Sequence, residues 1–337
     1  MPQLHLTSDE VCSIQTLLDE IAGRFASVEE PGFLRAASLY AHELPRHVRQ
    51  SLHEFRLLEP REGKLVVSGY PVEDRIGDTP RHWRDRNGTS PTLREEILLV
   101  LFGSLLGDVI GWKTQQNGYL VHDVLPIQGH ENEQLGSGSE QLLWWHTEDA
   151  FHAFRGDYLG LLCLRNPDRV ETTFACLEGL ELSPRHLDLL FEPHFTIRPD
   201  ESHLPKNQAV PAPDHSSDGS YDKIEKMNAA PERIAVLFGD RKHPYLRLDP
   251  YFMDPPATAE AREALDALIQ AISGRLEGVV LAPGDFLFVD NFQAVHGRKP
   301  FHAHYNGRDR WLKRINITRD LRKSRESRQT SEDRILL

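Results

Sequence analysis

The sequence predicts a mainly β fold with helices, in which a helical N-terminal part precedes an antiparallel barrel or sandwich. The prediction depends on a change of pattern near residue 110, from long apolar helical patterns to short apolar runs broken by Pro, Gly and Asp. Such runs are typical of antiparallel barrels and sandwiches. Seven are present: GYLVHDVLP, QLLWWHTE, DYLGLLCL, TTFACL, RIAVLFG, YLRLD and GVVLAPGDFLFVDN.

The N-terminal part, about residues 1–110, is predicted to be helical. Ser8 is the candidate N-cap of the first helix, because apolar residues follow it at three- and four-residue steps: Val11, Ile14, Leu18, Ile21 and Phe25. FLRAASLYAHEL predicts a second helix, and TLREEILLVLFGSLLGDVIG predicts a third that is apolar on most sides and therefore buried. Between them, GKLVVSGYPV is short and β-branched and predicts a strand.

The β-core is predicted for about residues 111–320, with two insertions. ATAEAREALDALIQAISGRL predicts a helix among the strands. SHLPKNQAVPAPDHSSDGSYDKIEKMN is polar and rich in Pro and Ser, so we expect a loop that acts as a lid at about residues 200–228. The pattern shows no internal repeat and no clear linker, and we therefore expect residues 1–337 to form a single domain.

Composition limits the classes of function. Acidic residues outnumber basic ones by 51 to 39, and the net charge of −12 argues against a nucleic-acid-binding surface as a global property. No apolar run approaches the roughly 18 residues of a membrane span, and the N-terminal MPQLHLTSDEV does not resemble a secretory signal. Three cysteines without CxxC spacing favour a reducing compartment, so we expect a cytoplasmic protein. No protein partner is implied.

The segment WWHTEDAFH contains three candidate metal ligands: His146, Glu148 and His152. Side chains two residues apart on a strand share a face, so His146 and Glu148 would point together. One further histidine would complete a facial triad of two histidines and one carboxylate, which leaves positions open on iron. His and Glu fall two apart by chance in many sequences, so the pair alone is a weak signal. His152 follows across a predicted turn and is not expected to be a ligand.

The second half of the chain offers the missing histidine. APGDFLFVDNFQAVHGRKPF contains a tight Pro-Gly turn, an apolar strand and then His296, which this arrangement could return to His146. Arg310 and Arg314 follow 14 and 18 residues after His296. They would share a face on a strand, and guanidinium forks bind carboxylates bidentately, so one could hold a co-substrate and the other a substrate. Without the HxE pair and the distal histidine, Arg310 and Arg314 would be interpreted as surface arginines.

HxE, a distal histidine in AVHGR and two arginines beyond it together resemble the clavaminate synthase-like branch of the iron(II)/2-oxoglutarate oxygenases. Longer blocks are similar to the arginine hydroxylases and desaturases of that branch, such as the viomycin-pathway arginine 3-hydroxylase. These blocks are LLGDVIGWKTQQNGYLVHDVLPI, WHTEDAFHAFRGDYLGLLCLRNPD, IRPDESHL and GRDRWLKRINITRDL, and the resemblance extends from about residue 30 to 325. It implies a double-stranded β-helix (jelly-roll, cupin-like) core flanked by N-terminal and inserted α-helices.

The resemblance also implies cofactors and the residues that bind them. Iron(II) would be the cofactor, with 2-oxoglutarate and O₂ as co-substrates. The iron ligands would be His146, Glu148 and His296. Arg310 would bind the distal carboxylate of 2-oxoglutarate, helped by the hydroxyl of Thr173.

The same resemblance implies an amino-acid substrate that is held at both ends. Arg314 and Ser137 would bind its α-carboxylate. Gln115 and the free oxygen of Glu148 would bind its α-amino group. Three acidic or polar residues would meet its guanidinium, two of them on the lid: Asp200, Ser202 and Asp249.

One departure concerns the guanidinium. The viomycin-pathway enzyme has Asp-x-Asp where this chain has Asp249, Pro250 and Tyr251. Loss of one carboxylate weakens a charge-assisted clamp, although Tyr251 could accept a hydrogen bond or stack on the guanidinium plane. Despite this departure, the resemblance implies hydroxylation of an unactivated side-chain carbon, C3 or C4, of free L-arginine in antibiotic biosynthesis. Alternatives are desaturation of L-arginine at C4–C5 and hydroxylation of enduracididine, citrulline or lysine.

Two hypotheses of other classes stay open. A catalytically silent barrel could bind a small amino acid, although such a protein need not keep the HxE pair, His296 and Arg310 together. The substrate could instead be tethered to a carrier protein. A tethered substrate needs an open active-site entrance rather than a closing lid. It would also lack the free α-carboxylate that Arg314 is expected to bind.

Overall fold

The computed structural model describes residues 3–72, 74–86, 88–204 and 219–337. These residues contain seven α-helices: α1 Ser8–Ala22, α2 Pro31–Ala41, α3 Arg46–Leu58, α4 Leu93–Leu106, α5 Pro184–Leu190, α6 Ser220–Ala229 and α7 Ala259–Ser273. None of these helices is both long and apolar enough to span a membrane. The same residues contain sixteen strands: β1 Gln3–His5, β2 Lys64–Ser68, β3 Asp108–Trp112, β4 His122–Val124, β5 Leu143–His146, β6 Tyr158–Arg165, β7 Glu171–Cys176, β8 Phe195–Thr196, β9 Arg233–Ile234, β10 Leu237–Asp240, β11 His243–Leu246, β12 Glu277–Val280, β13 Phe286–Asp290, β14 Ala294–Arg298, β15 Trp311–Thr318 and β16 Ile335–Leu336.

Two facing sheets form the centre of the fold. The larger has the order β1-β2-β13-β6-β15-β3-β16, with β4 also paired to β15, and the smaller has the order β12-β7-β14-β5. In these sheets only the β1–β2 and β16–β3 pairs are parallel. Apolar side chains from both sheets pack together between them, including Leu161 of β6, Leu287 of β13 and Phe174 of β7. The prediction of a mainly β, double-stranded β-helix core with flanking helices is confirmed.

The N-terminal helices pack against the larger sheet. α4 is buried on almost every side, as its sequence predicts, and contacts β15, β6 and β3. The N-cap of α1 is Thr7 rather than the predicted Ser8. The Glu10 amide donates to the Thr7 hydroxyl (3.3 Å), while the Glu10 carboxylate accepts from the Thr7 amide (2.9 Å), and this reciprocal pair satisfies both amides. The strand predicted in GKLVVSGYPV is present as β2, but the N-terminal part contains two further strands of the larger sheet. β1 was not predicted, and β3 replaces the last residues of the predicted third helix.

The predicted inserted helix is α7, which packs with α5 beside the smaller sheet. The predicted lid is more ordered at its ends than a plain loop. A short 3-10 turn occupies Glu201–His203, and α6 begins at Ser220. α6 forms there because Ile224 and the partly buried Met227 give it one apolar face against neighbouring core residues. The middle of the predicted lid, residues 205–218, lies outside the described residues.

Candidate active site

Strand pairing brings the three predicted metal ligands together. His296 of β14 is the direct antiparallel partner of His146 at the end of β5, and their ring centroids lie 4.7 Å apart. Oε2 of Glu148, two residues beyond β5, lies 3.6 Å from Nε2 of His146 and 3.2 Å from Nε2 of His296. The candidate ligand atoms all lie within 4.8 Å of one another, so a single cation could bind all three residues.

Hydrogen bonds fix the orientation of two of these residues. Nδ1 of His146 donates to the carbonyl oxygen of Trp144 (2.7 Å), which leaves the lone pair of Nε2 directed at the cluster. The side chain of Asn291 accepts from the Glu148 amide (2.6 Å) and donates to the Glu148 carbonyl oxygen (3.0 Å). Asn291, 143 residues further along the chain, therefore fixes the turn that presents Glu148.

The charge of the cluster suits a divalent cation. Burial acts to raise the pKa of Glu148, but the charge of Arg314 and the two neighbouring imidazoles hold that pKa well below its usual range. Oε2 of Glu148 is buried and makes no hydrogen bond of good geometry. An ionised carboxylate oxygen and two imidazole nitrogens form the facial triad that is typical of non-haem iron oxygenases. The residues present therefore fit iron(II).

The three ligand candidates line one of two adjoining cavities. His146, Glu148 and His296 line a cavity of about 830 Å³ that includes its open mouth, here called the metal cavity. A side chamber of about 520 Å³ adjoins it, because the two share several lining residues. The predicted substrate residues divide between them: Asp200, Asp249 and Tyr251 line the metal cavity, Gln115 and Ser137 line the side chamber, and Ser202 and Arg314 line both.

Arg310 also lines the metal cavity. Its side chain is buried, and burial lowers its pKa to about 10. Nη2 donates to the hydroxyl of Thr172 (3.3 Å), and no carboxylate among the described residues pairs with Arg310. The structure contradicts the predicted placement of Thr173 beside Arg310. Successive residues of β7 face opposite sides, and Thr173 lies beside Gly297, where an added Cβ would come within 2.8 Å of its hydroxyl.

Arg314 of β15 already has a carboxylate partner. Its Nη1 lies 2.5 Å from Oε1 of Glu148. Nη2 donates to Nδ1 of His122 (2.8 Å) and, over a longer distance, to Oε1 of Gln115 (3.4 Å). Neither the ion pair with Glu148 nor the contact with His122 was predicted. Arg314 therefore connects the proposed metal ligand with the side chamber.

Acidic and hydroxyl groups line another part of the metal cavity. Burial raises the pKa of Asp249 to about 6, and its Oδ1 accepts from the amide of Tyr251 (3.2 Å). Oδ1 of Asp200 accepts from both the amide (2.8 Å) and the hydroxyl (2.5 Å) of Ser202. Nε2 of Gln115 donates to the same hydroxyl oxygen (2.6 Å). Tyr251 is 52% exposed, so its ring is accessible from the solvent side of the cavity.

Ser137 and His152 both lie apart from the metal ligands. The hydroxyl of Ser137 contacts Nδ1 of His130 (2.9 Å) and faces the side chamber rather than the metal cavity. His152 is buried, accepts from the amide of Phe154 (2.9 Å) and packs against Trp112. His152 lies outside the ligand cluster, in agreement with the prediction that it is not a ligand.

Sequence analysis missed a buried polar network beside Glu148. Oδ1 of Asp149 accepts from Nε2 of His203 (3.0 Å), and Oδ2 accepts from Nε1 of Trp112 (2.5 Å) and Nδ2 of Asn316 (3.0 Å). Asp149 has a positive φ of 49°, so the chain reverses at this residue instead of continuing as a strand. His203 thereby ties the start of the predicted lid to the turn after Glu148. The one available signal was the adjacency of Asp149 to Glu148.

The facing sheets and the triad define a non-haem iron oxygenase, and comparison with known proteins identifies its family. Residues 99–316 match the taurine catabolism dioxygenase TauD, TfdA family, to which the chain belongs. It is 46% identical to the enduracididine beta-hydroxylase of Streptomyces hygroscopicus and 47% identical to the L-ornithine/L-arginine 3-hydroxylase of Catenulispora acidiphila. Both comparisons cover 100% of this chain and 100% of the relative.

A solved structure extends the comparison to the fold and its ligands. The chain is similar to the non-haem iron oxygenase OrfP in complex with Fe, succinate and (3S)-hydroxy-L-Arg, with 47% identity, complete coverage of both chains (100%) and a TM-score of 0.96. A further OrfP structure contains Fe and α-ketoglutaric acid (TM-score 0.88, 46% identity, 100% of each chain). The chain is a 2-oxoglutarate-dependent dioxygenase that uses iron, and the predicted resemblance to arginine hydroxylases is confirmed.

Proposed function

We propose that the chain hydroxylates an unactivated side-chain carbon, C3 or C4, of free L-arginine in antibiotic biosynthesis. One observation carries the proposal. A single cavity contains a facial-triad donor set, a buried arginine without a carboxylate partner among the described residues, and two carboxylates, Asp200 and Asp249. These features suit iron, an anionic co-substrate and a cationic substrate respectively. The L-ornithine/L-arginine 3-hydroxylase and the OrfP complex with a hydroxylated arginine support the same substrate class.

His146, Glu148 and His296 would hold the iron, and Arg310 with Thr172 would bind the distal carboxylate of 2-oxoglutarate. When bound, the metal supplies the activation of O₂ that couples decarboxylation of 2-oxoglutarate to oxidation of a C–H bond. Arg310 suits its role because a buried guanidinium is stabilised by a carboxylate held in its fork. The hydroxyl of Thr172 lies close enough to Arg310 to donate to the same carboxylate.

The head group of the substrate would occupy the boundary between the metal cavity and the side chamber. Arg314 would bind the α-carboxylate, and the hydroxyl of Ser137 in the side chamber would donate to it. Oε1 of Gln115 and Oε1 of Glu148 would accept from the α-amino group. Both oxygens lie within 3.4 Å of the Arg314 guanidinium, so a zwitterionic head group could meet all three groups at once.

The guanidinium of the substrate would be held by Asp249, Asp200 and Ser202, with Tyr251 stacked on it or accepting from it. Holding an extended substrate at both ends places its methylene carbons beside the triad. This placement matters because a displacement of about 1 Å can cost roughly 100-fold in rate. Docking of the lid would also exclude water from the reacting groups.

The proposed reaction converts L-arginine, 2-oxoglutarate and O₂ into hydroxyarginine, succinate and CO₂, with one oxygen atom entering succinate and the other the new hydroxyl. Desaturation at C4–C5 is an alternative in which two hydrogens leave the substrate and the second oxygen atom is released in water. Hydroxylation of enduracididine is a second alternative, favoured by the 46% identity to an enduracididine beta-hydroxylase. Citrulline and lysine are further candidate substrates that would use the same triad.

A direct assay tests the proposal. The enzyme is incubated aerobically with iron(II), 2-oxoglutarate and L-arginine, enduracididine, citrulline or lysine, and the products are analysed by mass spectrometry and NMR. We expect L-arginine to gain one oxygen atom with matching succinate release, whereas loss of two hydrogens would establish the desaturase. His296→Ala is the control and should form no product. Absence of succinate above the control level with all four amino acids would refute the proposal.

We further propose that residues 1–337 act as one oxygenase domain in the cytoplasm with small molecules as its partners. The cysteines Cys12, Cys163 and Cys176 are free thiols, which suits a reducing compartment. Measurement of the redox state of these thiols in cells would test the placement.

A further inference from the structure

His122 contacts Arg314 but has no part in the proposed reaction. His122 of β4 is the antiparallel partner of Arg314 in β15, and both side chains line the side chamber. Nδ1 of His122 lies 2.8 Å from Nη2 of Arg314, and Nε2 lies 2.9 Å from the carbonyl oxygen of Tyr119. His122 is only 3% exposed, so water does not replace either partner.

The two partners determine the protonation state of His122. A guanidinium has only N–H donors, so Nδ1 must accept from Arg314, and a carbonyl oxygen only accepts, so Nε2 must carry the proton. The neutral ring with its proton on Nε2 is the form that satisfies both contacts. Burial and the charges of Arg314 and Arg86 act in the same direction, and they lower the pKa of His122 well below its usual value.

The backbone that presents His122 is fixed by other elements. The carboxylate of Glu29, between α1 and α2, accepts from the amides of Leu120 (2.9 Å) and Val121 (3.2 Å). The guanidinium of Arg86 lies over the ring of Tyr119 at 4.4 Å from its centroid. The acceptor offered to Arg314 is therefore held in place before any substrate binds.

This arrangement leaves part of the Arg314 guanidinium available. Nη1 is directed at Glu148, and Nη2 donates to His122 and, over a longer distance, to Gln115. Nε is buried and lacks a hydrogen-bond partner among the described residues. A neutral acceptor fixes the plane of a guanidinium without cancelling its charge, whereas a second carboxylate in that place would compete with the substrate. His122 therefore has the chemistry needed to orient Arg314 and keep it cationic.

We propose that His122 is a positioning residue for the amino-acid head group, which acts by orienting the Arg314 fork toward the substrate α-carboxylate. The inference rests on the proposed function, because it assumes that Arg314 binds that carboxylate. His122 would not touch the reacting atoms. Its contribution should appear in substrate affinity and in coupling of 2-oxoglutarate consumption to product formation.

Two isosteric variants separate the two contacts of His122. In His122→Asn the amide oxygen takes the place of Nδ1 and can still accept from Arg314. In His122→Gln the amide nitrogen takes the place of Nε2 and can donate to Tyr119, but the acceptor for Arg314 is lost. We expect the Asn variant to keep KM for L-arginine within about 3-fold of wild type. The Gln variant should raise it by about 10-fold or more, as for loss of a hydrogen bond to a charged group.

The other readouts exclude a general structural effect. KM for 2-oxoglutarate should not change in either variant, and succinate released per hydroxyarginine should rise in the Gln variant because a misplaced substrate uncouples the two half-reactions. Calorimetric titration of the anaerobic iron(II) and 2-oxoglutarate enzyme with L-arginine should show the same affinity loss. His152→Asn, at another buried histidine, is the matched control and should leave both KM values unchanged.

A double variant tests whether His122 acts through Arg314. Adding His122→Gln to Arg314→Lys should raise KM for L-arginine by less than about 2-fold beyond Arg314→Lys alone, since residues acting in one chain of contacts are not additive. Equal KM values for the Asn and Gln variants, or full additivity, would overturn the inference. If the Gln variant does not fold, His122→Leu replaces it with the same expectation. Failure of the wild-type enzyme to bind L-arginine would instead refute the proposed function.

Discussion

Arg310 and Arg314 lie four residues apart and both line the metal cavity, yet their electrostatic surroundings differ. Arg310 has the neutral hydroxyl of Thr172 as its side-chain partner, and its charge adds to burial in lowering the pKa of nearby Arg298 to about 9. Arg314 is paired with Glu148 and contacts His122. Among the described residues, one end of the cavity thus holds unbalanced positive charge, and the other is balanced before substrate binds.

The difference indicates two modes of recognition. Unpaired charge in a buried site is unfavourable, and an anion that enters the site relieves it. The co-substrate end should therefore bind 2-oxoglutarate mainly through charge. At the substrate end the Arg314 charge is already shared with Glu148, so binding there should depend more on the orientation of the guanidinium fork. Substitutions at the two arginines should consequently have different effects on stability and on the two KM values.

The largest effect is expected from Arg310→Met. Removing the buried partner of a carboxylate costs about 2–5 kcal/mol, so KM for 2-oxoglutarate should rise roughly several hundred-fold while KM for L-arginine changes little. Initial-rate measurements with each substrate varied in turn check this expectation. In the absence of 2-oxoglutarate, the melting temperature should not fall, because an unpaired buried charge has been replaced by an apolar side chain. A clear loss of thermal stability would show that Arg310 already has a stabilising partner.

Arg314→Met should behave in the opposite way. Breaking the ion pair leaves the carboxylate of Glu148 buried and unpaired, and the free energy of unfolding of the metal-free protein should fall by about 2 kcal/mol. This figure is lower than for a fully buried pair because the Arg314 side chain is 18% exposed. Urea unfolding of both methionine variants under identical conditions provides the measurement. Equal stability losses for the two would remove the distinction between the ends of the cavity.

Strand geometry explains why the clustering of His146, Glu148 and His296 could be predicted. His146 and Glu148 were linked by their two-residue spacing, although Glu148 in fact lies just beyond β5, and His296 was placed across from them by the expected return of a strand. Periodicity of this kind is local and can be recognised in a sequence. The predicted runs DYLGLLCL and TTFACL likewise coincide with β6 and β7, and the predicted run GVVLAPGDFLFVDN divides into β12 and β13.

The remaining site residues depend on features that a sequence does not encode locally. The resemblance implied the hydroxyl of Thr173, but neighbouring residues of a strand face opposite sides, and the hydroxyl beside Arg310 is that of Thr172. The contact between Asp149 and His203 joins residues 54 positions apart, and that between Arg314 and Glu148 requires the two sheets to face each other. Ser137 lies on a loop whose path was not predictable, and it faces the side chamber.

The loss of stability at low pH should arise near the Arg314 end of the cavity, where charges are balanced before substrate binds. Asp123, next to His122, is paired with Lys313 (2.6 Å) and Arg86 (2.7 Å). Burial acts to raise its pKa, but these two cations lower it to about 2. A carboxylate with a lowered folded-state pKa stabilises the fold above its unfolded value, near 4, and loses that contribution as pH falls toward 2. Between pH 5 and pH 3 we expect a loss of about 1 kcal/mol from this residue.

Urea unfolding across that pH range, in wild type and Asp123→Asn, measures this contribution. The variant should be less stable at pH 5, because Arg86 loses its carboxylate partner and Lys313 keeps only Glu96, but its stability should fall less steeply with acid. If the free energy of unfolding fell equally with pH in the two proteins, the loss of stability at low pH would arise elsewhere in the molecule.

The smallest effect is expected from a matched pair of substitutions on β7. Thr172→Val removes the hydroxyl that faces Arg310, whereas Thr173→Val removes one that faces the other side of the sheet. The first should raise KM for 2-oxoglutarate about 3- to 5-fold, as for the loss of one hydrogen bond of modest strength, because the donor–acceptor distance is long at 3.3 Å. The second should leave KM for 2-oxoglutarate unchanged. The opposite result would mean that Thr173 assists Arg310, as the sequence resemblance implies. The residues that line the cavity beside Arg310 would then differ from those described.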